Sequence, residues 1–144
     1  MNYSIIEAKS LEEINQVFQI RIEVFVKEQK CLPSEEFDDL DAQARHFLLF
    51  KDDQAVATGR FRKTEKGIKI ERIATLAAFR GQGLASNLIQ YIIQQAKLQY
   101  PDTHYFYLHS QQTVIPLYAS LGFSTFGETF IEADIIHQAM ERII

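Results

Sequence analysis

The chain has 144 residues, 47% of them hydrophobic, with 15 basic against 19 acidic side chains and a net charge of −4. That is the size of one domain with enough apolar content for a core, and the absence of a basic cluster argues against a nucleic-acid partner. Met1-Asn2-Tyr3-Ser4 is no targeting segment, no stretch reaches the length of a membrane helix, and a single cysteine, Cys31, permits no disulfide within the chain; these features predict a cytoplasmic protein with no membrane partner.

Tyr3 to Ala8 reads as a first strand. Ser10-Leu11-Glu12-Glu13 is a capping box, and Ile14, Val17, Phe18, Ile22 and Phe25 recur at helical spacing, which predicts a helix to about Glu28. Periodicity is lost from Gln29 to Ala44, where Pro33 and the acidic run Glu35 to Asp41 predict a long loop with a short helical turn, a length often tied to function. His46–Phe50 and Ala55–Phe61 read as strands joined by the turn Lys51-Asp52-Asp53-Gln54, and Lys66-Gly67 marks the next turn. Ile68–Leu76 is a further strand. Leu84, Leu88, Ile89, Ile92, Ile93 and Ala96 then give a strongly amphipathic helix, which Pro101 stops. His104–Ser110 is an aromatic-rich strand. Val114–Leu121 is a short helix with Pro116 in its first turn and Gly122 as its left-handed stop. Phe123–Phe130 and Asp134–Arg142 read as a closing antiparallel pair. With no repeat, linker or low-complexity segment, residues 1–144 form one mixed α/β domain.

The stretch carrying most chemical information is Arg80-Gly81-Gln82-Gly83-Leu84-Ala85, between a strand and an amphipathic helix. Its glycines let the backbone turn tightly and approach a ligand. Its amides and those of the following helix form an anion-binding nest, with the positive charge of Arg80 at the rim. No Lys follows either glycine, which excludes a P-loop, and Ser86 stands where a dinucleotide fingerprint needs its third glycine. Arg80, Gly83 and Ala85 do fit the pattern Gln/Arg-x-x-Gly-x-Gly/Ala. On that motif alone, an ordinary glycine turn opening a helix remains an alternative.

A second motif lies about thirty residues on. Gln111 to Phe123 is similar to N-x-x-A-x-x-L-Y-x-x-x-G-F: Leu117, Tyr118, Gly122 and Phe123 match, while Gln111 stands for Asn and Val114 for Ala. Together with Ile73-Ala74-Thr75-Leu76, the two motifs resemble the GCN5-related N-acetyltransferases (GNAT) from Ile68 to Phe123. The flanks resemble the ElaA/YjcF-like branch, through Arg21, Val24-Phe25-Val26, Glu28-Gln29, Asp38, Asp41, His46, Gly127-Glu128, Phe130, Glu132, Ile135, His137 and Met140. The resemblance implies a central mixed, mostly antiparallel sheet with helices on both faces. It implies acetyl-CoA as co-substrate, held by Ile73, Ala74, Thr75, Arg80, Gly81, Gln82, Gly83, Leu84 and Ala85, with Gln111 and Tyr118 from the second motif. An amine acceptor is the expected partner, which an acidic chain suits. The number of copies is open, a homodimer among the options.

Acetyl transfer from a thioester to an amine needs a donor for the carbonyl oxygen, a neutral amine and a proton for the departing thiolate. The resemblance assigns the first to the backbone N–H of Ile73 and a sheet-like contact with the pantetheine arm to Thr75; the alternative is ordinary ladder pairing of both amides. It assigns the thiolate's proton to Tyr118; the alternative is a packing residue with a wet hydroxyl. Glu71 alternates with Ile73 and Thr75, which predicts one shared strand face and makes it a candidate base, against an ion pair with a strand Lys or Arg. Arg72 is predicted on the other face, in a structural ion pair. Glu128, Glu132 and His137 on the closing strands are candidates for the acceptor site, and His46 has equal standing; each histidine is otherwise a core or surface residue. No His spacing suits a metal and the reaction needs none. The acidic loop reads as either an attractor for an amine or a solvated charge run, and Cys31 as a small hydrophobe rather than a nucleophile. Beside the transferase stands a second reading, a CoA-binding sensor or interaction domain without catalysis.

Overall fold

Residues 2–144 of the chain are described by a computed structural model. Seven strands, β1 (Tyr3–Ala8), β2 (Arg45–Lys51), β3 (Gln54–Lys63), β4 (Ile68–Thr75), β5 (Tyr105–Gln111), β6 (Ser124–Glu132) and β7 (Ile135–Ile143), form one sheet in the order β1-β2-β3-β4-β5-β7-β6. Only β4 and β5 run parallel; the other neighbours are antiparallel. Two hairpins turn on adjacent residues with positive φ, Asp52-Asp53 and Ala133-Asp134, the geometry of a two-residue loop that follows the twist of its strands.

The four α-helices are α1 (Leu11–Arg21), α2 (Pro33–Glu36), α3 (Leu84–Gln99) and α4 (Ile115–Ser120). At the start of α1, Ser10 accepts from the amide of Glu13, whose carboxylate accepts the amide of Ser10, so the capping box is present as predicted. The predicted end at Glu28 also holds, but residues Ile22–Glu28 are wound as a π-helix, with Gln29 N–H reaching the carbonyl of Val24. Such wider turns recur at functional sites.

One face of the sheet packs on α3. Leu84, Leu88, Ile89, Ile92, Ile93 and Ala96 are all buried, among Phe47, Phe61, Ile70 and Phe106. The opposite face packs on α1 and its π-wound extension, where Val17, Ile20, Val24 and Phe25 meet Leu48 and Ala74. Burial of a side chain of this size contributes about 1.5–3 kcal/mol. Both faces of the sheet thus carry helices, as the resemblance implied. The alternation that the sequence suggested along β4 does not survive. Arg72 has φ +58°, and the pairing of β3 with β4 shifts register between Thr58 and Arg60, so that Gly59 faces two residues. This is a β-bulge. A Cβ on Gly59 would sit 2.5 Å from Ile73 Cδ1 and 2.9 Å from Ile92 Cδ1, so any larger residue would have to displace the ends of both side chains.

Candidate active site

The two parallel strands part company early. β4 and β5 pair only from Ile68–Phe106 to Ile70–Leu108. Beyond that point the edge of β4 from Glu71 to Thr75 has no strand beside it, and a cavity of about 980 Å³ opens in the gap. Ile73, Ala74 and Thr75 form one wall. Gln111, Leu117 and Tyr118 form the other, and the loop before α3 closes one end. The cavity therefore joins the two sequence motifs, which a helix and a strand separate along the chain.

At the loop end, Gly81 and Gly83 have φ of +79° and +77°, and a Cβ on either would meet no atom within 4 Å. These glycines answer to backbone conformation and to an open cradle, not to internal crowding. Gly83 caps α3 without any side-chain hydrogen bond, so the first-turn amides of that helix are left for an anion. Gly81, Gly83, Leu84 and Ala85 line the cavity, and the buried Leu84 side chain pins the helix start to the core. Two expectations change here. Arg80 is not a free positive charge: its guanidinium grips Glu28 at 2.6 and 2.7 Å and donates to the carbonyl of Thr75 at 2.9 Å. Gln82 does not line the cavity; its side chain accepts from Lys51.

Midway along, Tyr118 is buried and touches the cavity. Burial pushes its phenol above the ordinary value, so the hydroxyl keeps its proton at neutral pH. Its ring meets Phe123 edge-on, with centroids 6.3 Å apart. Gln111 exchanges amide hydrogen bonds with Gln29 at the end of the π-wound segment, at 2.8 and 3.4 Å. Together with the Glu28–Arg80 pair, this ties that segment across the cavity.

The far end is charged. Because of the bulge, Glu71 lies on the α1 side of β4 with Ala74, opposite Arg60, whereas Ile73 packs into the core on the α3 side and Thr75 pairs with Ala57 of that core. The predicted shared face of Glu71, Ile73 and Thr75 is thus overturned. Arg60, Arg62 and Lys69 hold the Glu71 carboxylate at 3.1, 2.6 and 3.2 Å. Burial alone would raise this carboxyl, but the hydrogen bond from Arg62 and the charges of Arg60 and Lys69 outweigh it and bring it to about 2. Such a group has little affinity for a proton; of its two readings, the ion pair is the one present. Arg72 is ion-paired as predicted, to Glu36 and Asp38, but on the same side as Glu71.

Within the acidic loop Glu35 and Asp39 are exposed, but the other three acids are neither solvated nor open to a ligand. Glu36 is buried and bound by Arg21 and Arg72, Asp38 by Arg60 and Arg72, and Asp41 by Arg21 and Arg60. Arg21 and Arg60 are fully buried, a burial that such charges tolerate only when paired. Cys31 lines the cavity as a buried thiol, pushed up by desolvation and by the nearby carboxylates of Glu36 and Glu35. Among the described residues, no group of three or more His, Cys, Asp or Glu is arranged to hold a metal ion, and no helix is long and apolar enough to cross a membrane.

A family model described as an acetyltransferase (GNAT) domain matches residues 7–144. The chain belongs to the GNAT family. It is 31% identical over 136 residues to the uncharacterised N-acetyltransferase YjcF of Bacillus subtilis, covering 94% of this chain and 96% of that one. It is also 31% identical over 138 residues to protein ElaA of Escherichia coli, covering 92% and 89%. Among solved structures, an acyl-CoA N-acyltransferase from Pseudomonas aeruginosa superposes with a TM-score of 0.84 at 33% identity over 97% of both chains. A GNAT acetyltransferase from Elizabethkingia anophelis, solved with acetyl-CoA bound, superposes with a TM-score of 0.77 over 99% of both chains at 15% identity, a likeness of fold. As a GNAT protein, the chain is an acyltransferase.

Not every residue singled out along this GNAT sequence reaches the cavity. His46 lies apart, in a smaller cavity of about 320 Å³ beneath α1, with Nε2 2.9 Å from the carbonyl of Asp41 and its basicity lowered by burial. Glu128 is exposed in the irregular part of β6 and does not line the main cavity. Glu132 and His137 do line it, and the structure adds His109, Arg62 and Lys69, which sequence reading passed over. Arg60 and Arg62 alternate along β3, a signal that two charges share one strand face; nothing comparable marks His109. Glu132 lies 3.9 Å from His109 Nδ1 and 3.8 Å from His137 Nε2. The imidazole of His109, then His137 in its protonated form and the charge of Lys69, hold its carboxyl below the ordinary value.

Proposed function

We propose that this chain is an acetyl-CoA-dependent N-acetyltransferase that passes the acetyl group directly to a primary amine, with both substrates bound together. The observation that carries this reading is the parting of β4 from β5 beyond Ile70 and Leu108. It creates a channel running from the Gly81–Gly83 cradle past Tyr118 to a charged chamber.

The chain's own residues fit such a co-substrate. The uncapped first turn of α3 and the left-handed Gly81 and Gly83 supply backbone donors for a pyrophosphate. Ile73, Ala74 and Thr75 offer a strand edge with nothing beside it, suited to the sheet-like pantetheine arm and to an N–H donor at Ile73 for the carbonyl oxygen. Tyr118 holds a proton in a buried position on the opposite wall, suited to the departing thiolate. Holding amine and thioester in one channel supplies the orientation that a direct attack requires.

Thiol release from acetyl-CoA across a panel of amines tests this reading, run beside calorimetric titration with CoA. Amine-dependent thiol release is the expected result. Tight CoA binding with no release for any amine would overturn transfer and leave a binding domain.

A further inference from the structure

The carboxylates around the charged chamber differ in one respect. Glu36 has Arg21 and Arg72 as permanent cation partners, Asp38 has Arg60 and Arg72, and Glu71 has Arg60, Arg62 and Lys69. Glu35 caps the amide of Leu32. Glu132 has two imidazoles, His109 at 3.9 Å and His137 at 3.8 Å. An imidazole is a cation only when protonated. Glu132 and Glu35 are thus without a permanent cation partner, and of the two it is Glu132 that has imidazoles beside it.

The rings beside it are oriented. Nδ1 of His137 stands 2.7 Å from the carbonyl of Ile135, a contact that requires a donor, so the proton of the neutral ring is on Nδ1 and the lone pair is on Nε2. That lone pair faces the Glu132 side of the ring. Phe130 packs between the two imidazoles, stacked on His137 at 5.9 Å and edge-on to His109 at 5.0 Å. His109 Nδ1 is buried without a hydrogen-bond partner. Glu132 from β6 stands 3.8 Å from His137 Nε2, and His109 from β5 stands 3.9 Å from the same carboxylate; Lys69 from β4 adds its charge at Glu132 but is itself tied to Glu71 at 3.2 Å.

We propose that Glu132 binds the acceptor as an alkylammonium ion and that His137 Nε2 removes the proton that frees the amine for attack. This deepens the transferase reading and rests on it. The acceptor class is a primary alkylamine, which is protonated in water and so needs both a counter-ion and a base. The protons balance as follows. His137 takes the first from R–NH₃⁺ and passes it to solvent. As the N–C bond forms and the C–S bond breaks, the nitrogen gives its second proton to solvent, the sulfur receives one from Tyr118, and solvent returns a proton to Tyr118. One proton is released per amide formed.

Propylamine is the probe, used with wild type, His137→Gln and Glu132→Gln. His137→Gln should lower kcat by about 10²-fold or more, leave the KM for acetyl-CoA unchanged, and recover as pH rises or when free imidazole is added. Glu132→Gln, at a half-exposed position, should raise the KM for propylamine about tenfold with the smaller effect on kcat. Without acetyl-CoA, the ¹⁵N shifts of His137 should respond to propylamine in wild type and not in Glu132→Gln. Wild-type turnover with an unchanged pH profile in His137→Gln, or ring shifts indifferent to propylamine, would overturn this assignment alone. CoA binding with no amine-dependent thiol release in wild type would instead overturn the transferase reading beneath it.

Discussion

Arg62 Nε donates to Glu71 Oε1 at 2.6 Å, on the side of β4 opposite to Ile73. The contact ties a carboxylate that alternation would have aimed at the acetyl site into a buried ionic network instead. Arg60 completes the grip, touching Glu71, Asp38 and Asp41 at once.

The first prediction concerns that carboxylate. Glu71→Gln leaves three cations short of a shared counter-charge. Breaking a buried pair by removing one partner costs about 3–5 kcal/mol. The variant should melt at clearly lower temperature, while its pH–rate profile keeps the wild-type shape at reduced amplitude. Parallel melts and profiles check this. A loss confined to low pH, rescued as pH rises, would return the base role to Glu71.

Acid should unfold the protein through the same network. Glu71 and Asp38 are held at about 2, below their ordinary 4.5 and 3.8. For Asp38, burial works upward, and the hydrogen bond and charge of Arg60 prevail. Folded values below unfolded ones contribute stability that is present above about pH 4.5 and lost as pH falls toward 2. A drop from 4.5 to about 2 at Glu71 corresponds to on the order of 3 kcal/mol. Glu36 works in the opposite sense. Burial raises its carboxyl despite Arg72 and Arg21, so its protonation on acidification offsets part of the loss. Melting temperature measured against pH should fall across this window, and less steeply in Glu71→Gln.

Tyr118→Phe keeps the ring packed on Phe123 and removes the hydroxyl. It should lower kcat by about 10²-fold or more with little change in the KM for acetyl-CoA. Steady-state kinetics decide the matter. Turnover within a factor of two of wild type would make Tyr118 a packing residue.

Gly83→Val places a β-branched side chain at φ +77° in an otherwise open cradle. The side chain would occupy the space proposed for the pyrophosphate, and CoA affinity should fall at least tenfold, about 1.4 kcal/mol. Calorimetry with CoA measures it, with a melt confirming the fold. Unchanged affinity in the folded variant would remove the loop from the binding site.

The elements of this protein were legible in the sequence because their causes are local. The capping box at Ser10, the helical spacing from Leu84 to Ala96, the turn at Asp52-Asp53 and the glycines before α3 each act within a few residues. The two motifs likewise marked the walls of the cavity. What only the tertiary structure decided depends on distance in space. A single positive φ at Arg72 reverses the phase of β4, which strict alternation cannot foresee. Arg21, Glu36, Asp38, Asp41, Arg60 and Glu71 come from four segments and neutralise one another only once α1 packs over the sheet. His109, Glu132 and His137 meet because β7 enters the sheet between β5 and β6. Charge and nucleophilicity are properties of neighbours, and strand order chooses those neighbours.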